Sequence, residues 1–391
     1  MKHKDFEGEI GLLLLADASV TDIANNQKAI AIGSTHPIKN YVITWFLPPV
    51  THALKGGVRT VFMLAQNMSE NWGTLNHFVI YSYSAQNINT TELCASLGRF
   101  FPKLHFTVSV FRKGVDDIQS IPASNASFCT LWTTAYLLLK YNRTSRKFYL
   151  MQDFEPSFYQ AGNIYGVIEQ TYRFGFSAIA NTEGVGNKYR QYNDDITIFT
   201  PGVDQNTFYP DKSKTSIGNP ARIVFYGRPS NPRNCFLLGI RTLTAVKRKM
   251  GDAVEIISVG EEWDTRDFKV DGIVENRGLL ASMEEVADLY RSSDIGLVFM
   301  ITPHPSYQPF EYMASGCVTA TNINESNQWL LNEHNTLLIE PLAEVAARRI
   351  HDLLQNEESW QQKRMTAMNT IQALSWENAF RVVRDRLTRK H

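Results

Sequence analysis

The chain has 391 residues, of which 43% are hydrophobic and 20% are charged, and this length predicts two domains of ordinary size. Lys plus Arg and Asp plus Glu both number 39, so the formal net charge is zero. This balance argues against nucleic acid as the main partner, because proteins that neutralise phosphates carry a basic surface. The balance also argues against long disorder, which requires low hydrophobicity with a large net charge.

The first 40 residues are treated as an N-terminal extension. Their pattern predicts one short apolar helix over residues 10–23, followed by a polar stretch. The apolar run at residues 10–16 is too short to span a bilayer and lacks a signal-peptide cleavage pattern. Membrane contact is therefore expected to be peripheral at most.

From Tyr41 onward, apolar runs alternate with helical patterns, which predicts βαβ units around a parallel sheet. Strands are expected over residues 41–47, 77–83, 105–111, 128–132, 147–152, 176–181 and 196–200. Helices are expected over residues 58–68, 133–141 and 164–172. A first Rossmann-like domain is thus predicted over residues 41–205.

A polar segment, residues 211–220, indicates an interdomain linker, and a second alternating set follows it. Strands are expected over residues 222–227, 254–259, 272–275, 294–300, 317–322 and 336–340. Helices are expected over residues 234–250, 283–292, 309–315, 343–354, 358–374 and 376–390. This predicts an α/β chain with a second doubly wound domain over residues 206–375. A ligand cleft is expected at the carboxyl ends of both sheets.

Four cysteines stand far apart and form no C-x-x-C pair, which favours separate buried thiols over disulfides or a zinc site. A reducing, cytoplasmic compartment follows from that interpretation. No Asp-x-Asp pair occurs in the sequence.

Two stretches of the second half carry residues suited to an anion. A predicted strand runs into Gly227 and Arg228, and Arg233 precedes a predicted helix. Backbone N–H groups at a helix start and forked guanidinium donors favour phosphate. The alternative is an ordinary pair of surface arginines after a strand.

The run HPSYQPFEYMASG, residues 304–316, follows a strongly apolar strand and holds His304, Ser306, Tyr307 and Glu311. Glu311 is expected in the first turn of a helix, where its carboxylate could hold two ribose hydroxyls. The alternative is that Glu311 only complements the helix dipole.

These two stretches resemble the family-four retaining glycosyltransferases, and within them the bacterial rhamnosyltransferases of surface polysaccharide and S-layer glycan synthesis. Further matching pieces follow in the family's order from about residue 41 to the chain end. They include Gly56-Gly57-x-Arg59, WTTAY at residues 132–136, YLMQDFEP at residues 149–156, PGVD at residues 201–204 and SWEN at residues 375–378.

The resemblance implies a GT-B architecture, in which two Rossmann-like domains face across a cleft and a C-terminal helix, residues 376–391, returns to the first domain. It implies that Arg228 and Arg233 bind the donor diphosphate, that Glu311 holds the ribose, and that His304, Ser306 and Tyr307 line the donor site. No metal or other cofactor is expected. The family's first carboxylate is missing, because Pro303 occupies its place.

In the first domain, the resemblance points to Asp153 and Glu155 as groups that orient the acceptor hydroxyl or the sugar. Gln152 stands where many relatives have His. A structural role for both carboxylates is the alternative. Gly56 and Gly57 would let the backbone approach the diphosphate, or they form an ordinary loop.

The leading hypothesis is transfer of rhamnose from dTDP-rhamnose, with retention, onto a growing and lipid-linked surface glycan. Its alternatives are another donor (a UDP-, GDP- or galactofuranosyl sugar) and a non-catalytic glycan- or nucleotide-binding subunit. An oxidoreductase is disfavoured, since the nearest match to G-x-G-x-x-G, Gly184-Val185-Gly186, lacks the final glycine. The basic C-terminal segment is interpreted as a solvated helix end, with contact to anionic lipid as the alternative.

Overall fold

A computed structural model describes residues 3–32, 41–54, 57–303 and 306–389. It divides into two compact units. The first unit runs to Phe199 and includes the C-terminal segment from Phe380 onward, and the second unit is Thr200–Ala379.

The first unit is built on a parallel sheet of seven strands in the order β3-β2-β1-β4-β5-β6-β7. These apolar segments form strands because both faces of the sheet are covered. Their side chains pack across it, with Phe128 stacked 4.2 Å from Trp45 and 4.9 Å from Phe148 between ring centroids. The strands are β1 (Val42–Leu47), β2 (Leu75–Ser82), β3 (Phe106–Arg112), β4 (Ala126–Cys129), β5 (Lys147–Met151), β6 (Ser177–Ala180) and β7 (Ile196–Ile198).

Before residue 200, the described residues form seven α-helices. They are α1 (His3–Leu13), α2 (Val20–Ile32), α3 (Val58–Trp72), α4 (Thr91–Phe100), α5 (Trp132–Lys140), α6 (Asn163–Thr171) and α7 (Glu183–Tyr189). The helices α4 and α7 were not predicted.

The prediction of one helix over residues 10–23 is wrong, because α1 ends at Leu13 and α2 starts at Val20. Ser19 and Asp22 exchange hydrogen bonds, each side chain accepting from the other's backbone N–H, and this reciprocal cap starts a new helix. Asn26 of α2 is buried and donates to the Phe174 carbonyl at 2.8 Å. The helix α2 is therefore packed into the first unit.

The second unit has a parallel sheet of six strands in the order β10-β9-β8-β11-β12-β13. Its strands are β8 (Ala221–Tyr226), β9 (Val254–Val259), β10 (Glu275–Asn276), β11 (Ile295–Leu297), β12 (Val318–Asn322) and β13 (Leu337–Ile339). Its helices are α8 (Phe236–Met250), α9 (Met283–Ser292), α10 (Gln308–Ala314), α11 (Ala343–Leu354) and α12 (Glu357–Gln372).

The strand predicted over residues 294–300 is shorter, since β11 ends at Leu297. Beyond β11, the backbone of Met300 forms hydrogen bonds with the side chain of Asn322. Its Oδ1 accepts from the Met300 N–H at 2.8 Å, and its Nδ2 donates to the Met300 carbonyl at 3.0 Å. A side chain thus replaces the ladder at the carboxyl end of β11.

The last helix, α13 (Trp376–Thr388), carries most of the basic C-terminal segment, and its residues from Phe380 onward belong to the first unit. Arg386 is buried and pairs with Asp195, and its Nη2 also donates to the Ser177 hydroxyl at 2.9 Å. Arg146 donates to the carbonyls of Leu387 and Arg386 at 2.7 and 3.1 Å. The Arg386 guanidinium therefore binds groups inside the first unit. Neither a solvated helix end nor contact with anionic lipid, the two interpretations given for this segment, accounts for this residue.

The four cysteines are separate thiols, with Cys129 and Cys317 buried. Burial raises the pKa of the Cys129 thiol well above its usual value. Within the described ranges, no helix is both long and apolar enough to cross a membrane.

Candidate functional site

Both sheets change winding direction at one point, between β1 and β4 in the first unit and between β8 and β11 in the second. In open α/β sheets, ligands bind outside the carboxyl ends of the strands at such a switch point. Residues that directly follow β8, β11, β1 and β4 are therefore the first candidates, and those after β5, the strand beside β4, lie at the same edge of the sheet.

In the second unit, β8 leads into Gly227 and Arg228. Glycine is required at 227, because a Cβ there would lie 2.3 Å from the Ser258 Oγ on the adjacent strand. Arg228 is half-buried and donates to the Tyr226 hydroxyl at 3.3 Å, with its guanidinium 5.7 Å from the Tyr226 ring centroid. No carboxylate of the described residues forms an ion pair with Arg228, so its charge is available to an anion.

Arg233 lies in the short 3-10 turn Pro232–Asn234, ahead of α8. The helix begins at Phe236 and not at the predicted residue 234, because Cys235 adopts a left-handed conformation with φ of 47°. The Arg233 side chain donates to Asn231 Oδ1 at 3.3 Å, and its carbonyl accepts from the Ile301 N–H at 3.2 Å. This last bond joins the turn to the segment that follows β11.

The same segment continues into α10. Ser306 has a φ of 70°, its hydroxyl donates to the Gln308 side chain, and Tyr307 is the N-cap residue. Glu311 is half-buried in the first helical turn, as predicted, and its N–H donates to the Tyr307 carbonyl at 3.1 Å. The predicted site residue His304 lies outside the described residues.

Tyr290 of α9 packs against Tyr312 of α10, with the two ring centroids 4.5 Å apart. Burial, followed by the charges of Tyr312 and Glu311, raises the pKa of Tyr290 well above its usual value. Arg228, Arg233, Ser306, Tyr307 and Glu311 thus all follow two neighbouring strands at one edge of the sheet. Two cations and a carboxylate placed there could bind a diphosphate and a hydroxylated group.

In the first unit, Gly57 is the N-cap of α3, and its carbonyl accepts from the Gln152 amide at 2.9 Å. Gly56 lies outside the described residues. Asp153 is 8% exposed, and its Oδ1 accepts from the N–H of Phe154 at 2.8 Å.

Glu155 is only 3% exposed and binds the protein's own donors. Its Oε2 accepts from the Trp132 N–H at 2.6 Å and from the Tyr149 hydroxyl at 3.1 Å. Trp132 is the first residue of α5, whose N-cap is Leu131, so a carboxylate from another element satisfies this helix start. Burial, followed by the charge of Glu155, raises the pKa of Tyr149 well above its usual value.

The partners of Glu155 and the contact between Gln152 and Gly57 were not predicted from the sequence. The one available signal was a helix that begins after Leu131, a residue without a capping side chain. Within the described part of the chain, no three His, Cys, Asp or Glu side chains converge as a metal site requires.

The fold is GT-B, and this confirms the predicted fold class. Sucrose-phosphate synthase from Thermosynechococcus elongatus superposes with a TM-score of 0.65 at 14% identity, over 88% of this chain and 98% of that one. HepE from Anabaena in complex with UDP and glucose superposes with a TM-score of 0.67 at 13% identity, over 90% and 100%. A glycosyltransferase from Rickettsia africae gives 0.63 at 13% identity, over 90% and 100%.

Comparison of the sequence gives two further similarities. Residues 221–351 match the family described as WsaF, C-terminal domain. The O-antigen biosynthesis protein RfbC from Myxococcus xanthus is 37% identical over 336 residues, which make up 85% of this chain and 26% of RfbC. The chain thus spans about a quarter of the length of this relative.

Proposed function

We propose that this chain is a glycosyltransferase of bacterial surface-glycan synthesis that uses a nucleotide diphosphate-sugar donor. The observation that carries the proposal is the 37% identity to an O-antigen biosynthesis protein over 85% of the chain. The GT-B fold and the arginines at the carboxyl edge of the second unit support it, as does the similarity to a structure holding UDP and glucose.

The proposed donor is dTDP-rhamnose, transferred with retention of configuration. Its support is the HPSY form of residues 304–307 and the overall resemblance to rhamnosyltransferases. The proposed acceptor is a growing, lipid-linked glycan at the inner face of the cell membrane. The separate thiols agree with the reducing compartment that this location implies.

In the proposed reaction, the charge that develops on the departing diphosphate is stabilised by Arg228 and Arg233. Their forked donors and the backbone N–H groups at the start of α8 would stabilise that charge without a metal ion. Glu311 accepts hydrogen bonds from the ribose hydroxyls. Asp153 orients the acceptor or the sugar, and Glu155 supports that edge through α5. Catalysis then rests on positioning and charge stabilisation.

Thermal-shift titration tests donor binding, because a ligand that binds only the folded state raises its stability. We expect dTDP and dTDP-rhamnose to stabilise the protein more than UDP-, GDP- or ADP-sugars do. Stabilisation by none of these nucleotides would refute the donor-binding proposal. Preference for a UDP- or GDP-sugar would leave the proposed transferase function standing and would rule out dTDP-rhamnose as the donor.

A second candidate is a non-catalytic nucleotide- or glycan-binding subunit, favoured by Pro303 at the position of the family's first carboxylate. Incubation with radiolabelled dTDP-rhamnose and isolated glycan-lipid separates the two candidates. Label transferred to lipid supports the enzyme. Donor binding without transfer or donor hydrolysis supports the binding subunit.

A further inference from the structure

The Gln152 side chain links the end of β5 to the start of α3. Its Nε2 donates to the Gly57 carbonyl at 2.9 Å. Its Oε1 is buried and has no hydrogen-bond partner among the residues that the structure describes. One amide group thus holds the N-cap residue of α3 by a single directed hydrogen bond.

The backbone does not explain why residue 57 is glycine. Gly57 has φ of −64° and ψ of −17°, an ordinary right-handed helical conformation that alanine adopts without strain. The space around it does explain the glycine. A Cβ at this position would lie 2.8 Å from Gln152 Nε2, 3.0 Å from Oε1 and 3.1 Å from Cδ. Since these atoms end a flexible side chain, alanine at 57 would displace the amide and leave the fold intact.

The α3 start has no side-chain cap of its own. The Gln152 amide ties this helix start to the end of β5. The helix begins beside the switch point between β1 and β4, where a ligand of this sheet would bind.

We propose that Gln152 is a positioning residue, which fixes the Gly57 carbonyl and the first turn of α3 at the carboxyl edge of the first unit, and that residue 57 is glycine to admit the Gln152 amide. This inference rests on the proposed glycosyltransferase function. Small displacements of a positioned loop lower the chemical rate steeply. The proposed diphosphate ligands Arg228 and Arg233 lie in the second unit, so removal of the Gln152 amide alone leaves both of them in place.

The test is a double-mutant cycle with Gln152→Ala, Gly57→Ala and the double variant. Both single changes remove the same hydrogen bond, so we expect each to lower kcat about 10-fold and the double variant to be no slower than either. In Gln152→Ala, which keeps Gly57, affinity for the nucleotide diphosphate should change less than about 3-fold. Gln152→Glu retains size and loses the donor, so it should be at least as slow as Gln152→Ala.

Two controls match these changes in the same unit. Gly98→Ala places a methyl group in open space on α4, and Gln160→Ala truncates an exposed glutamine. Both should retain wild-type kcat. Additive effects of the two primary changes, or an unchanged kcat in either of them, would overturn the inference.

Hydrogen exchange supplies a readout that does not depend on activity. Amides in the first turn of α3 should exchange faster in Gln152→Ala than in wild type or in Gln160→Ala. Unchanged exchange would overturn the inference even in an active enzyme. A wild-type protein that neither binds nor transfers any nucleotide-sugar would refute the proposed function, and the exchange result would still decide the positioning role.

Discussion

The two units share a strand order around their switch points and use the carboxyl edges of their sheets differently. In the first unit, Glu155 is 3% exposed and accepts from Trp132 and Tyr149. In the second unit, Arg228 and Glu311 are half-buried beside the strand ends, and Arg228 donates to the Tyr226 hydroxyl. One edge uses the Glu155 carboxylate to hold the unit together, whereas the other leaves Arg228 and Arg233 partly exposed.

The comparison extends to the charges that each unit buries. The first unit encloses Lys147, whose Nζ donates to Asn26 Oδ1 at 2.8 Å and to neutral backbone carbonyls at the end of α5. The second unit encloses Asp294, which pairs with Lys214 at 2.9 Å. Topology alone therefore does not decide how a buried ionisable side chain is compensated. Lys147 donates hydrogen bonds to uncharged oxygens, whereas Asp294 forms an ion pair with a lysine.

The largest effect on stability is expected at Glu155. In Glu155→Ala, the Trp132 N–H and the Tyr149 hydroxyl lose their acceptor, which should lower the free energy of unfolding by about 3–5 kcal/mol. Chemical denaturation measures it. Glu183→Ala, which removes an exposed ion pair with Arg190, should stay within about 0.5 kcal/mol of wild type.

Glu155→Gln separates structure from catalysis. It retains an acceptor oxygen and should recover most of the stability that alanine loses. Recovered transfer activity would assign Glu155 a structural role. A stable but inactive Glu155→Gln would instead make this carboxylate part of the chemistry.

The opposite behaviour is expected at the edge of the second unit. Arg228→Ala and Glu311→Ala should each weaken nucleotide diphosphate binding about 30- to 100-fold, a loss of about 2–3 kcal/mol, because each removes charge-assisted hydrogen bonds. Their stability should remain within about 1 kcal/mol of wild type. Calorimetric titration measures the affinity, with Arg248→Ala as the control for an exposed arginine. Wild-type affinity in both variants would exclude this edge as the donor site.

A smaller loss of stability is expected when the contacts of α13 with the rest of the first unit are removed. Arg386→Met removes the ion pair with Asp195 and the bond to Ser177, so we expect a loss of about 2 kcal/mol in the free energy of unfolding. Arg389→Ala, at an exposed position, should have almost no effect. Equal stability of the two variants would show that the basic segment contributes only its surface charge.

The smallest effect, about 1 kcal/mol from pH 7 to pH 8, is expected at Lys147. Burial lowers the pKa of Lys147 from its ordinary value of 10.5 to about 7. Between these two values the unfolded chain binds a proton that the folded chain lacks, so stability rises with pH, by at most about 1.4 kcal/mol per unit. Lys147→Met should lack this rise. Parallel pH profiles of wild type and variant from pH 7 to pH 9 would contradict the assignment.

Much of this fold was predictable from local pattern. Continuous apolar runs such as β1 and β8 belong to strands covered on both faces, and alternation with amphipathic helices favours parallel sheets. The break between α1 and α2 was also encoded locally, in the pair Ser19 and Asp22, although the apolar pattern obscured it. The positions of Arg228 and Glu311 after strand ends could likewise be predicted, because they depend only on where β8 and β11 stop.

What the sequence by itself determined is therefore the order of elements, the two Rossmann-like halves and the residues that follow their strands. Only the tertiary structure decided which of those residues bind other parts of the protein. Glu155 meets the start of α5 from 23 positions away, Gln152 meets Gly57 from 95, and Arg386 meets Asp195 from 191. The physical reason is that burial and hydrogen-bond partners depend on packing between elements distant in the chain, and no local period records such pairings.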